Sequence, residues 1–270
     1  MRMVQLGPLF ALGLFLSATS VKAQQSATPA PAPRDAQAIS VLQRSLAALS
    51  GTTTVNDVTL NGTANWISGS DNETGSATLK ATAIGQGRVD LSLSSGQRSE
   101  VIDASQAAPT GSWCGIDGVW HATVPHNLFN DPSWFFSLFL IQRALAGNGY
   151  AISQADAESV DGVAVEHVAI YQPSGFAAQQ ATKIQGLGEV DLYLNASTLL
   201  PVRLVFNMHS DSSALVNIPV AIEYANYQVV QGVSVPYHIQ KYINNGLALD
   251  LTVSSVQMNS GLSATDFQAH

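Results

Sequence analysis

The stretch EVDLYLNASTLLPVRLVFNM, residues 189–208, decides the fold. Val190, Leu192 and Leu194 fall on one side of an extended chain, and Glu189, Asp191, Tyr193 and Asn195 on the other. After a polar break, Val202, Leu204, Phe206 and Met208 repeat the alternation against Arg203, Asn207 and His209. A period of two residues marks a strand with one dry and one wet face. Such strands belong to antiparallel sheets, because the strands of parallel α/β sheets are buried on both sides.

Toward the C terminus, Val220, Ile222 and Tyr224, then Val235, Tyr237 and Ile239, continue the pattern. Asn245-Gly246 is a type I′ hairpin signal leading into Leu247, Leu249, Leu251 and Val253. Toward the N terminus, period-two runs recur at 57–67, 76–84, 88–94 and 98–103. Asn61-Gly62, Gly85-Gln86-Gly87 and Ser95-Gly96 punctuate them, and the stretch 111–124 carries Trp113, Trp120 and His121. One amphipathic helix comes first, with Asp35 as its cap, Ile39, Leu42, Leu46 and Leu49 in one stripe, and Gly51 at its end. The expected class is mainly β with two or more helices (α+β). The expected architecture over 35–268 is one domain: a single strongly curved antiparallel sheet, or unclosed β-barrel, with an N-terminal helix and an apolar lid helix.

That lid is the one break in the pattern. Residues 131–147, DPSWFFSLFLIQRALAG, read as a helix capped by Asp131, with Pro132 in its first turn and Gly147 as its stop. Trp134, Phe135, Phe136, Leu138, Phe139, Leu140, Ile141 and Leu145 leave it almost no polar face, so it must be enclosed. Exposing four such side chains costs ~6–12 kcal/mol, comparable to the whole stability of a domain. Two readings follow: a core helix permanently wrapped by the sheet, or a lid over an apolar cavity. The candidate cavity residues are Trp134, Phe135, Phe136, Leu138 and Phe139 on the lid, with Leu192, Leu194, Leu204, Phe206, Ile222 and Tyr224 from the sheet.

Charged residues make up only 11% of the 270, and the net charge is −8. That balance excludes the basic footprint of a nucleic-acid-binding protein and a polybasic membrane patch. Residues 1–23 read as a signal peptide: Arg2, an apolar run at 9–16 and the small-x-small site Val21-Lys22-Ala23. The run falls short of the ~20 residues of a membrane span, so no stable transmembrane anchoring is expected. Losing Arg2 and Lys22 takes the charge from −8 to −10. Residues 24–34, QQSATPAPAPR, read as a disordered Pro/Ala-rich tether. The expected product is exported and soluble, periplasmic or extracellular.

Chemical motifs are sparse. A single cysteine excludes an internal disulfide and a four-cysteine zinc site. Trp113-Cys114-Gly115 lacks the second thiol of a redox pair, since position 117 is Asp, and Cys114 reads as a buried inert thiol rather than a nucleophile served by His121. His121, His126 and Asp131 are the candidates for a metal site or a hydrolase, but residues five apart on a strand lie on opposite faces. Glu166-His167 is divided in the same way. The serine of GSWCG (111–115) is misplaced for a nucleophile elbow. Gly85-x-Gly87 and Gly186-x-Gly188 lack the third glycine of a dinucleotide site. No catalytic residue, metal or cofactor is expected.

The order of elements resembles the LolA/LolB-like superfamily of periplasmic lipoprotein carriers. The resemblance spans roughly 35–268 and rests on fold-level patterns: the helix before Gly51, the run 189–195 followed by 200–206, Ile222 to Tyr227, Gly232 to Pro236 and the closing 259–267. It implies helices inserted as a lid over a hydrophobic cavity. The implied function is a non-enzymatic module that holds an acyl chain, lipid or lipoprotein under the 132–146 helix. A ligand-free envelope-sensing module with an envelope protein partner is the alternative, and a hydrolase the third reading. Asn195 departs from the Asp such proteins commonly carry, the lid is one concentrated helix, and no residue here matches the family's polar cavity residue. No lipid-attachment Cys follows Ala23, which argues against the outer-membrane receptor type.

Overall fold

The alternating segments form one antiparallel sheet in the computed structural model, which describes residues 32–106, 108–156, 158–172 and 181–269. The expected signal peptide and residues 24–31 of the expected tether lie outside the described residues. The first half of the chain supplies β1 (Asp57–Ser68), β2 (Asp71–Thr82), β3 (Gln86–Leu93), β4 (Gly96–Asp103), β5 (Thr110–Cys114) and β6 (Trp120–Ala122). The second supplies β7 (Ala151–Gln154), β8 (Glu158–Val160), β9 (Val163–Tyr171), β10 (Val190–Asn195), β11 (Pro201–Ser210), β12 (Ser213–Val230), β13 (Val233–Ile243) and β14 (Gly246–Met258). The spatial order is β6-β5-β4-β3-β2-β1-β14-β13-β12-β11-β10-β9-β7, with β8 paired to β9. Strands β6 and β7 stand at opposite ends, so the sheet is unclosed, as expected.

Helix α1 (Ala36–Ser50) forms with the cap and stop its sequence suggests, but of the expected stripe Ile39 and Leu46 are only partly buried. The Asp35 carboxylate accepts the Ala38 N–H at 2.8 Å, and Gly51 ends the helix at φ 55°. Its buried stripe, Ala38, Val41, Leu42 and Leu49, packs on α2 (Leu138–Leu145) and β13. A third helix, α3 (Ala181–Gly188), leads into β10. At the end of β10, the Asn195 side-chain oxygen accepts the N–H groups of Ser197 (2.9 Å) and Thr198 (3.0 Å). Asn thus supplies the same acceptor that Asp would.

The lid segment differs from its sequence reading. The helix begins at Leu138, not at 132, because the Trp134 carbonyl takes the Tyr224 hydroxyl instead of closing a helical turn, although the Asp131 carboxylate makes a capping contact. One oxygen accepts the Ser133 N–H at 2.7 Å and the other is ion-paired with Arg143. Residues 132–135 run in turns instead, which lets Trp134 and Phe135 meet edge to face with ring centroids 5.5 Å apart. Gly147 is not the stop either: α2 closes on Ala146, in right-handed geometry. The end of α2 is held by Arg34, whose guanidinium donates to the Ala144 oxygen at 3.0 Å and, beyond the helix, to the Tyr150 oxygen at 3.1 Å. Pro33 and Arg34, read as the end of a disordered tether, are therefore joined to the domain, and Arg34 bridges Ile152 of β7.

Three local readings shift as well. The β13–β14 turn has Asn244 (φ 50°) and Asn245 (φ 62°) at its centre, so the type I′ signal lies one residue earlier and Gly246 already belongs to β14. Asn61-Gly62 is a bulge inside β1 rather than a break between strands. A Cβ on Gly62 would lie 2.2 Å from the Thr252 carbonyl oxygen, which excludes any larger residue. His209, assigned to the wet face, is 2% exposed because Asn127 folds over it, donating to its carbonyl (2.9 Å) and accepting its N–H (2.8 Å).

The core is a single cluster on the dry face, shared by α1, the segment 134–144 and strands from β1 to β14. Phe139, fully buried, stacks edge to face on Phe136 at 4.9 Å. Phe139→Ala should lower stability by about 3–5 kcal/mol, read as a lower urea midpoint with the far-ultraviolet strand signal retained in the folded baseline.

Candidate functional site

One cross-strand row describes the dry face: Trp66, Leu249, Lys241, Ile222, Leu204, Leu192 and Val168 sit side by side on β1, β14, β13, β12, β11, β10 and β9. Directly opposed residues of an antiparallel pair share a face. Every member is apolar except Lys241. The alternation that places Val235, Tyr237 and Ile239 on the dry side of β13 places Lys241 there too, so its signal was present in the sequence.

All eleven candidate cavity residues are buried, none more than 6% exposed, and all belong to the core cluster. Trp134, Phe135, Phe136, Leu138 and Phe139 fill the hollow in front of Leu192, Leu194, Leu204, Phe206, Ile222 and Tyr224. Tyr224 fixes the front of the segment by donating its hydroxyl to the Trp134 carbonyl, and burial pushes its phenol well above the ordinary range. Gly87 on β3 sets how close the segment can come: a Cβ there would lie 2.1 Å from the Pro132 carbonyl oxygen. The Asp131–Arg143 pair, with Arg143 Nη2 also 3.2 Å from Ser133 Oγ, ties the start of the segment to the helix that follows.

Of the eleven, Trp134 and Phe206 line open grooves. Two adjoining grooves, of ~330 and ~350 Å³, share Glu100, Trp113, Trp134 and Lys241. The first extends over Trp66, Leu91, Arg98 and Leu249, the second over Phe206, Met208 and Asp211. Both volumes fall within the ~300–1,000 Å³ typical of small-ligand sites. The Arg98 guanidinium lies 4.0 Å from the Trp66 ring centroid and 3.4 Å from Glu73, while the Lys241 ammonium lies 4.8 Å from the Trp134 ring. Trp113 is 43% exposed at the mouth. The sequence reading singled out neither groove, because each joins strands far apart in the chain.

The residues considered for catalysis are held apart. Register pairs His121 with Trp113 rather than Cys114, so thiol and imidazole project to opposite sides of the β5–β6 hairpin. His121 stacks on Trp113 at 4.5 Å and faces Asp117 at 3.4 Å. His126 bonds the Ser210 carbonyl oxygen at 2.9 Å, and Asp131 serves Ser133 and Arg143. Cys114 is partly exposed beside the first groove, not buried, because β5 lies near the edge of the sheet. Among the described residues, no three His, Cys, Asp or Glu side chains are grouped to hold a metal.

The wet face carries its own network. His167 sits between Asp191, 2.8 Å from Nε2, and Glu158, 2.7 Å from Nδ1, and stacks on Tyr193. The hydrogen bond to Asp191 raises its pKa above the ordinary value, more than desolvation lowers it, with the charges of Asp191 and Glu158 adding to the rise.

Among solved structures, the chain is similar to a LolA superfamily protein from Nitrosomonas europaea, at 13% identity over 86% of this chain and 97% of that one, with a TM-score of 0.53. It is similar also to a domain from Vibrio parahaemolyticus described as an outer membrane lipoprotein-sorting protein (12% identity, 86% and 96% covered, TM-score 0.54). A DUF1329 family protein from Desulfovibrio piger compares equally (13%, 86% and 96%, 0.52). The amino-acid sequence itself matches no protein-family model and no curated protein. At these identities the likeness is one of fold, and the fold is LolA-like.

Two measurements follow. Gly87→Ala should force Pro132 away from β3, altering the near-ultraviolet signal of Trp134 and speeding proteolysis within 128–137; no change in either would mean the contact is slack. A histidine with a raised folded pKa stabilises fully below its unfolded value of about 6.5, and that stability is lost as pH rises through the folded pKa. The urea midpoint should therefore fall as pH rises from below about 6.5, and His167→Gln should flatten this portion of the profile.

Proposed function

We propose that this chain is a non-enzymatic exported binding module that holds an acyl chain, lipid or lipoprotein against the 132–146 segment. The observation that carries the reading is the pair of tryptophan-lined grooves at Trp134, continuous with an apolar face that the sheet does not close over. Ligand chains lie first in the grooves and reach the deeper candidate residues, Phe136 and Phe139 among them, by replacing contacts that the segment now makes. Substitution of one apolar contact for another is how such a core opens without losing its stability.

The scattered positions of Cys114, His121, His126 and Asp131 support a binding role over hydrolysis. Among the described residues no helix is long and apolar enough to cross a membrane. Export rests on the signal-like reading of residues 1–23.

Native mass spectrometry of the protein purified gently from an exported fraction, alongside solvent extraction, tests the proposal. The expected result is a bound mass that vanishes on denaturation and reappears as lipid in the extract. A folded protein of clean apo mass, unchanged by fatty acids and phospholipids, would overturn it and favour the envelope protein-partner alternative.

A further inference from the structure

Lys241 and Glu100 face the same two grooves from strands separated by four others. Both side chains are partly buried, and among the described residues neither makes a hydrogen bond or an ion pair. Several charges elsewhere on the sheet find partners: Lys80 with Asp266 at 2.8 Å, Arg88 with Asp90 at 2.6 Å, and Arg203 with Glu223. Lys241 instead stands in a row of apolar neighbours with only the Trp134 ring beneath it. Glu100 lies directly opposite Val89 and Trp113 in the register of β3, β4 and β5. A charge partly withdrawn from water without a partner is costly, and Lys241 and Glu100, shared by two grooves that Arg98 lines on one side and Asp131 and Asp211 on the other, mark the complement of a molecule that carries both signs.

We infer that the grooves take the headgroup of a zwitterionic amphiphile, its phosphate at Lys241 and its ammonium group between Glu100 and the face of Trp113. This rests on the reading that an apolar ligand occupies the grooves, and it names the headgroup that reading leaves open. A purely anionic headgroup would satisfy Lys241 but meet repulsion from Glu100. A cationic one would satisfy Glu100 and meet Lys241 and Arg98. An uncharged one would leave both side chains unpaired. A phosphate and an ammonium group joined by a short linker satisfy the pair together, and an indole face adds its own attraction for the cation. The alkyl chain then runs from the headgroup over Leu91 and Leu249.

Four amphiphiles with the same dodecyl chain separate the possibilities: dodecylphosphocholine, dodecyl sulfate, dodecyltrimethylammonium and dodecyl maltoside. Each is titrated below its micelle concentration into delipidated full-length protein, by calorimetry and by tryptophan fluorescence. Dodecylphosphocholine should bind most tightly, by about tenfold or more, the worth of one charge-assisted hydrogen bond. Lys241→Met should remove its advantage over dodecyltrimethylammonium, and Glu100→Gln its advantage over dodecyl sulfate, with the urea midpoint of each variant retained. Equal binding of all four, or variants that leave the order unchanged, would overturn the headgroup assignment while the apolar-ligand reading stands. Failure of every amphiphile to bind the folded protein would overturn both.

Discussion

Everything in this molecule answers to one constraint: a sheet whose dry face is far larger than α1 can cover, and which does not close on itself, must be filled from within. Phe135, Phe136 and Phe139 meet that demand, and they are among the largest fully buried side chains among the described residues. Each contributes ~1.5–3 kcal/mol by burial, against a domain stability of ~5–15 kcal/mol. The turns at 132–135, the glycine at position 87 and the late start of α2 are the local adjustments that bring these rings to the hollow.

The filling segment is held by polar contacts at its two ends and by packing between them. At the front stand Tyr224 on the Trp134 carbonyl and the carboxylate of Asp131; at the rear stand Arg143 and Arg34. Removing one partner of a buried ion pair such as Asp131–Arg143 costs ~3–5 kcal/mol. Release of the whole segment requires loss of the Tyr224 and Arg34 contacts and of the aromatic packing together, while the Asp131–Arg143 pair moves with the segment. A change confined to the Trp134 side chain, beside the grooves, requires neither, which is why the groove-facing end of the segment is where a ligand and the protein can exchange contacts.

The sheet was legible because period two is a direct consequence of strand geometry: Val190, Leu192, Leu194, Leu204, Phe206 and Ile222 are all buried on the side their alternation assigned. The same rule carried Lys241 to the dry face, but a charged residue at the end of an apolar series reads as the end of the series. What alternation cannot convey is competition for one side chain. Asp131 does cap the Ser133 N–H, yet no helix follows until Leu138, because Tyr224 on a distant strand claims the Trp134 carbonyl. Asn127 buries His209 from a loop more than eighty residues away. The grooves escaped notice for a related reason, since β4 and β13 approach one another only through the curvature of the whole sheet.

The bridge between Arg34 and Ile152 has a consequence for how the chain is made. Ile152 donates its N–H to the Pro33 oxygen and accepts the Asp35 N–H, so the residues that lead into the domain lie along the outer side of β7 and cap that free edge. An uncapped edge is a template for strands of other molecules. The capping residues leave the ribosome first, yet the strand they cover is synthesised more than a hundred residues later. During synthesis, then, this edge is unguarded until the two meet, and a chain lacking residues 33–35 would carry the exposed edge permanently, trading solubility for self-association.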